Sequence, residues 1–414
     1  MSLVHRIAPM TGRDPHEKHR AATPLELLFD LTFVIAFSQA SSQAAHYFEE
    51  GKTGTALLGF AIGVFAVTWA WINFSWLASA YDTDDVFMRL ATFVEMIGVI
   101  IMALGLPDFF HSLDAGGHIH NEVLVAGYVV MRVATIALWL RAARQDAARR
   151  RTCLTYAVGI AIVQVAWIGV IFANPPAWVA LTLMVILAVA EMAVPIIAER
   201  PGTPGGGTPW HAHHIAERYS LLVIITLGEV ILGTVLAISA VVQDDGWSVE
   251  AVLVAFGGTL LVFAMWWAYF VVPSGRILHA HRDRAFPWGY LHIALFGSVA
   301  AVGAGLHVAA NVFGHEAHEI DQTYALWTVA GPVLAFVVVL SALYDILVRR
   351  FDLWHVGMLV AAVAVIAVAV VASTAGASLG VSIVIVACAP LVIVVGYEAG
   401  GHRRAAADLD RLGA

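Results

Sequence analysis

The chain has 414 residues, of which 60% are hydrophobic and only 13% are charged. An average soluble domain has about 25% charged residues, so this composition excludes an ordinary soluble protein and predicts one that crosses a membrane many times. The formal net charge of −8 and the scattered basic residues give no indication of a nucleic-acid partner, and none is expected.

Apolar segments long enough to cross a bilayer recur along the whole chain. One helical crossing needs about 20 apolar residues, and twelve segments qualify. They are residues 25–47, 54–79, 87–106, 122–142, 153–173, 177–198, 214–240, 248–272, 287–313, 323–347, 354–374 and 378–398. The sequence therefore predicts an all-α polytopic membrane protein with about twelve transmembrane helices, for which the lipid bilayer is the first partner.

A run rich in glycine and proline divides these segments into six and six. This linker, residues 199–213, separates a first half at 25–198 from a second half at 214–398, with terminal segments at 1–24 and 399–414. Because six is an even number, the halves are predicted to share one topology, as parallel repeats related by an axis along the membrane normal.

Basic residues in the short loops predict the orientation. Under the twelve-helix prediction they gather on one side of the membrane, while the opposite loops carry Lys52 alone. The residues on the basic side are Arg6, Arg13, Lys18, Arg20, Arg141, Arg144, Arg149, Arg150, Arg151, Arg276, Arg282, Arg284, Arg349, Arg350, Arg403, Arg404 and Arg411. Both termini and the linker are therefore predicted to be cytoplasmic.

Ionisable residues lie inside several of these segments, where a charge at the bilayer centre costs at least about 2.5–3.5 kcal/mol. Glu26 and Asp30 open the first segment, and Glu217, Arg218 and Glu229 occupy the seventh, which opens the second half. We expect these side chains to meet in one intramembrane pocket that binds a proton or a substrate. Further candidates for this pocket are Glu95, Arg132, Glu191, His214 and His292.

Two structural explanations stay open beside this hypothesis. An acid in the first turn of a helix caps free N–H groups and interacts favourably with the helix dipole, which would account for Glu26. Static ion pairs that hold helices together would account for the deeper residues, which are Asp30, Glu95, Arg132 and Glu229.

Three carboxylates fall within four residues after the second segment, at Asp82, Asp84 and Asp85. Their mutual repulsion predicts that one of them binds a proton more tightly than a free aspartate does. Arg89, one turn later, is expected to neutralise part of this charge. A solvated loop with a helix cap is the structural alternative, and no metal site is predicted.

Tryptophans precede these acids on the same helix. Trp69, Asn73 and Trp76 form one stripe, and Trp71 lies beside it. Trp69 and Trp71 either pack against neighbouring helices or line a cavity whose aromatic faces attract a cation.

Three stretches resemble the bacterial low-temperature-requirement A membrane proteins. They are Thr23-Pro-Leu-Glu-Leu-Leu-Phe-Asp-Leu31, Phe74-Ser-Trp-Leu-Ala-Ser-Ala-Tyr-Asp-Thr-Asp-Asp85, and His214-Ile-Ala-Glu-Arg-Tyr219 with Leu227-Gly-Glu229. The resemblance covers nearly the whole chain and implies a protein of the bacterial cytoplasmic (inner) membrane. It implies no settled chemistry and supplies no catalytic or transport residues.

A shorter stretch, Asp82-Thr-Asp-Asp85, resembles the Asp-x-Asp-Asp motif of class II terpene cyclases. That resemblance implies Asp84 as the general acid, with Asp82 and Asp85 setting its proton affinity and tryptophans stabilising cationic intermediates.

Three functions follow as alternatives. The first is a proton-coupled secondary transporter of a small molecule, favoured by the paired halves and the intramembrane acids. The second is a membrane-embedded enzyme on an isoprenoid or lipid substrate, such as a terpene cyclase. The third is a sensor or assembly protein. No cofactor is predicted, although a diphosphate substrate would bring Mg²⁺.

Overall fold

The computed structural model describes residues 7–15, 17, 20–200, 206–313 and 320–413. Twelve helical segments in these ranges are long and apolar enough to cross a membrane. The predicted all-α class and the twelve transmembrane helices are thereby confirmed.

The first six long helices are α1 (Pro24–Glu49), α2 (Thr53–Tyr81), α3 (Val86–Ala115), α4 (Glu122–Gln145), α5 (Arg150–Ala173) and α6 (Ala177–Ala198). The next are α7 (Ala212–Asp245), α8 (Val249–Phe270), the short α9 (Ser274–Ala280) and α10 (Ala285–Phe313). The last are α11 (Gln322–Val348), α12 (Leu353–Thr374), α13 (Leu379–Gly396) and α14 (His402–Leu412).

Two short helices were not expected from the sequence. α9 follows directly after α8, and α14 occupies most of the tail at 399–414, where no helix was predicted. Both are too short, and α14 is too polar, to meet the length and hydropathy of a membrane crossing. Hydrophobic length therefore could not reveal them.

Several helices begin at a side chain that accepts a hydrogen bond from the first turn. At the start of α1 the Glu26 carboxylate accepts from the Thr23 N–H, and the Thr23 hydroxyl oxygen accepts from the Glu26 N–H. This reciprocal arrangement is a capping box, and Pro24 occupies the first helical position. Asp85 caps α3 in a similar way by accepting a bond from the Met88 N–H. These caps fix where each span begins.

The described backbone separates into two compact units. Unit 1 comprises residues 1–39 and 66–218, and unit 2 comprises residues 40–65 and 219–414. The boundary therefore falls inside α7 rather than in the linker at 199–213, and residues 40–65 belong with the later helices. The division into six-helix halves of parallel topology stays a prediction.

Glycines bring α3 and α4 of unit 1 into backbone contact. A Cβ atom added at Gly98 would lie 2.7 Å from the Gly127 carbonyl oxygen and 2.8 Å from the Met131 nitrogen. Small residues permit such close crossings between membrane helices. The crossing brings Glu95 of α3 within hydrogen-bond distance of Thr135 of α4.

Candidate functional site

Four ionisable side chains form a buried cluster in the first turns of α1 and α7. We call it the Glu26 cluster, and its members are Glu26, Asp30, His214 and Arg218, each at most 1% exposed. Nε2 of His214 lies 3.1 Å from Oε1 of Glu26. Nη1 of Arg218 lies 3.6 Å from the same oxygen, and Nη2 donates to Oδ1 of Asp30 at 2.7 Å. All four residues belong to unit 1.

Helical spacing explains why two pairs meet. Glu26 and Asp30 are four residues apart on α1, as are His214 and Arg218 on α7, and residues at this spacing share a helix face. Each contact joins residues 188 positions apart in the chain. An equal offset at both contacts means that α1 and α7 run parallel where they meet.

Two side chains of helix α2, Trp71 and Ser75, also contact the Glu26 cluster, and they too are four residues apart. The indole Nε1 of Trp71 donates to Oδ1 of Asp30 at 2.7 Å. The Ser75 hydroxyl oxygen accepts from Nη2 of Arg218 at 3.2 Å, and the guanidinium carbon lies 5.5 Å from the Trp71 ring centroid. Trp71 therefore packs against a neighbouring helix, and its indole N–H stabilises a charged carboxylate.

Counted over its four members, the Glu26 cluster is neutral only if it holds one proton. Two carboxylates face one guanidinium, so the sum is −1 with a neutral imidazole and zero with a protonated one. Arg20 and Asp82, which both interact electrostatically with Glu26, add one charge of each sign nearby and leave this sum unchanged. Histidine is the side chain whose charge ordinarily changes near neutral pH. Binding or release of one proton therefore changes the net charge of these four buried groups between zero and −1.

A second buried cluster centres on Glu191 of α6. Its carboxylate accepts from Nη2 of Arg132 at 3.1 Å, from Nε1 of Trp69 at 3.2 Å and from Nε2 of Gln164 at 2.9 Å. Four helices thus meet at one acid. Asn73 supports this arrangement by donating to the Trp69 carbonyl oxygen at 2.8 Å.

Unit 1 contains two separate buried clusters instead of the single pocket expected from the sequence. Asp30 belongs to the Glu26 cluster, whereas Arg132 belongs to the Glu191 cluster, and each cluster has its own ion pair. Glu217 is half-buried on α7 and lies outside these ion pairs. Glu229 belongs to unit 2, where its backbone packs against Gly303 of α10.

The three acids after α2 have three different environments. Asp82 is 6% exposed, and burial, followed by the negative charge of Glu26, raises its pKa to about 6. One aspartate with a raised pKa was expected, but its surroundings, rather than its two neighbours in sequence, are the cause.

Asp84 and Asp85 differ from Asp82 in both exposure and partners. Burial alone would raise the pKa of Asp85, but hydrogen bonds from Arg141 and from the Met88 and Ala8 N–H groups outweigh it and lower the pKa to about 2. The side chain of Asp84 is 49% exposed and pairs with Arg89 at 2.9 Å, as expected for that arginine.

The N-terminal segment binds across the helix ends beside these acids. The Ala8 N–H donates to Asp85 at 2.9 Å and the Gly12 N–H donates to Asp146 at 3.3 Å. Arg141 pairs with Asp85 and also donates to the Ala8 carbonyl oxygen at 2.6 Å. Nothing in the local sequence marks Arg141 or Asp146 as binding the N-terminal segment, because these contacts join residues more than 130 positions apart in the chain.

The sequence model described as bacterial low temperature requirement A protein (LtrA) matches residues 21–390. The chain belongs to the LtrA family. It is also similar to an uncharacterized protein of Rhizobium meliloti (strain 1021), with 28% identity over 335 residues that cover 77% of this chain and 76% of that protein.

The LtrA match includes every member of the Glu26 and Glu191 clusters. The N-terminal segment at 7–15 and helix α14 lie outside it. The terpene cyclase resemblance gains no support, because the family match accounts for the stretch that contains Asp82–Asp85 and the acid that the motif would use, Asp84, is half exposed.

Unit 2 contains polar groups of its own. His292 is fully buried, and its ring nitrogens contact the Trp288 carbonyl oxygen at 2.8 Å and the Tyr269 hydroxyl at 3.1 Å. An open cavity of about 410 Å³ is lined by His46 and Glu49 of α1 together with His307 of α10.

No group of three or more metal-binding side chains occurs in the part of the chain that the structure describes.

Asp82→Asn is expected to raise the apparent melting temperature in detergent at pH 7.5 by several degrees. A raised pKa means that protonation stabilises the folded state, so this contribution is fully present below pH 3.8 and is lost as the pH rises through about 6. The shift of about two pKa units corresponds to about 3 kcal/mol.

The advantage of Asp82→Asn should therefore shrink as the pH falls towards 4. Asp84→Asn is the matched control, since Asp84 pairs with Arg89 on the surface and such pairs contribute about 0–1 kcal/mol. A stabilisation of Asp82→Asn that is independent of pH would contradict the assignment.

Proposed function

We propose that this LtrA protein is a proton-coupled secondary transporter of a small molecule and that the Glu26 cluster is its proton-binding site. The observation that carries the proposal is the burial of two carboxylates, one guanidinium and one imidazole in mutual contact inside membrane-spanning helices. Intramembrane ionisable groups are costly and usually mark ion or substrate pathways.

The proposed mechanism uses the charge balance of the cluster. A net charge of −1 is costly in a low-dielectric interior, whereas a neutral cluster is not. Binding of one proton by the cluster therefore favours a state in which α1 and α7 stay together. Release of that proton favours their separation, and a substrate that binds one of the two states becomes coupled to the proton.

Polar groups at both ends of α1 also support transport. Glu26 and Asp30 lie in its first two turns, while His46 and Glu49, near its last residue, line the cavity of unit 2. A transport path needs polar groups near both faces of the membrane, and α1 carries such groups near both of its ends.

Uptake into reconstituted vesicles tests the proposal. The vesicles would contain a pH-sensitive dye and receive labelled amino acids, organic acids and sugars under an inward proton gradient. We expect uptake of at least one compound together with internal acidification, and Glu26→Gln should lower both at least about tenfold, because the cluster is then neutral without a proton and coupling is lost.

Two variants serve as controls. Glu199→Gln changes an acid that accepts hydrogen bonds from Trp76, Thr208 and Tyr156 but lies outside the Glu26 cluster, so it should retain uptake. Asp84→Asn removes the acid required by the cyclase alternative and should also retain it. Vesicles that neither take up any compound nor change their internal pH would refute transport.

We also infer that the protein lies in the bacterial inner membrane with both termini cytoplasmic. The basic loops support this orientation, since lysine and arginine concentrate on the cytoplasmic side. A reporter enzyme fused after Arg150 should be active in the cytoplasm, and activity on the other side would overturn the orientation.

A further inference from the structure

An open groove runs along α5 on the surface of unit 1. Its volume is about 680 Å³. Arg150 and Arg151 line one end, and Leu154, Val158 and Ile162 continue along the helix. Val158 is 53% exposed and Ile162 is 65% exposed, so the apolar part of the groove faces the surroundings of the helix. The groove thus combines a cationic end with an apolar channel.

The two arginines at this end differ from their neighbours. Arg141 pairs with Asp85, and Arg149 pairs with Asp146 at 3.2 Å. Among the residues that the structure describes, Arg150 and Arg151 have no acidic partner, and both are exposed. Two uncompensated positive charges therefore lie where α5 begins its membrane crossing.

The length of the groove matches one leaflet. From Arg151 to Ile162 the helix rises by about 16 Å at 1.5 Å per residue. The hydrocarbon core of a bilayer is about 30 Å thick, so the apolar residues extend over about half of it. A ligand with an anionic head and an acyl chain one leaflet long would place each part beside a suitable surface.

We propose that this groove binds an anionic phospholipid, whose phosphate pairs with Arg150 and Arg151 and whose acyl chain lies along Leu154, Val158 and Ile162. Basic pockets at the ends of membrane helices suit such headgroups. The site is separate from the Glu26 cluster and does not depend on the proposed transport.

Native mass spectrometry of the full-length protein in detergent tests the site. Phosphatidylglycerol and phosphatidylcholine with identical acyl chains would be titrated in parallel. The wild type should retain one phosphatidylglycerol in preference to phosphatidylcholine. Each arginine near the membrane surface contributes a factor of about five, so Arg150→Gln/Arg151→Gln should lower this preference by about 20- to 30-fold.

Two further variants separate charge from shape. Arg144→Gln removes an exposed arginine that does not line the groove, and it should keep the preference. Val158→Trp fills the groove while leaving both arginines, and it should weaken binding of the phospholipid. This variant also provides the test if the double arginine variant fails to fold.

Inorganic phosphate distinguishes a lipid site from a simple anion site. Millimolar phosphate should not displace phosphatidylglycerol from the wild type. Displacement by phosphate, or an unchanged lipid preference in both the double arginine variant and Val158→Trp, would overturn the proposal.

Discussion

Arg218→Gln is expected to destabilise the protein by about 3–5 kcal/mol, because it removes one partner from a buried ion pair. Arg218 and its partners Glu26 and Asp30 are each at most 1% exposed, so solvent cannot compensate for the lost cation. Two carboxylates would remain beside one imidazole. Thermal unfolding of the purified protein in detergent at pH 7.5 would report the loss.

A second substitution should restore much of the lost stability. Asp30→Asn keeps an acceptor for the Trp71 N–H group but removes one of the two uncompensated charges. Arg218→Gln/Asp30→Asn should therefore unfold at a higher temperature than Arg218→Gln alone, which is the coupling that a double-mutant cycle measures. Arg144→Gln is the control on an exposed arginine. Equal stability of Arg218→Gln and Arg144→Gln would show that the buried pair contributes nothing.

The fold could be predicted from hydrophobic length alone because each transmembrane helix satisfies its own backbone hydrogen bonds. The predicted gaps between segments at 174–176 and 375–377 both separate helices in the structure. The division into units could not be predicted in the same way. Residues 40–65 join the later helices through tertiary packing, to which the linker composition gives no clue.

At the candidate site, too, the sequence predicted which residues are important but not which of them contact each other. The cost of a charge in hydrocarbon selected Glu26, Asp30 and Arg218 correctly as residues that need partners. Their pairing across 188 residues depends on how α1 and α7 pack, and nothing in the local sequence specifies it. The capping explanation holds for Glu26, which bonds the Thr23 N–H, and the same carboxylate also contacts His214.

The three acids after α2 show what the spacing of charged residues along a sequence cannot predict. Their repulsion is visible in the sequence, but which of them is buried is not. Asp82 lies close enough to Glu26 for that charge to raise its pKa, whereas Asp84 points to the surface and pairs with Arg89. Burial and distant charges, rather than spacing along the chain, assign the roles.

The same substitution at two buried acids of unit 1 is expected to have different effects on stability. Glu191 pairs with Arg132 and accepts from Trp69 and Gln164, so Glu191→Gln should leave a buried guanidinium without its carboxylate and destabilise the protein by about 3–5 kcal/mol. Glu95 instead accepts from the neutral Thr135 hydroxyl at 2.8 Å. Its second oxygen has no hydrogen-bond partner among the described residues.

Glu95→Gln should therefore be neutral or stabilising, because an amide keeps the bond from Thr135 and no ion pair among the described residues is broken. Thermal unfolding of both variants at pH 7.5 in one detergent gives the comparison, and the matched chemistry removes the effect of side-chain size. A loss of stability for Glu191→Gln without a loss for Glu95→Gln would mean that ion pairing makes the Glu191 cluster essential to the packing of α2, α4, α5 and α6. Equal losses would instead mean that both acids act through burial alone, and the Glu191 cluster would then have no special part in holding these helices together.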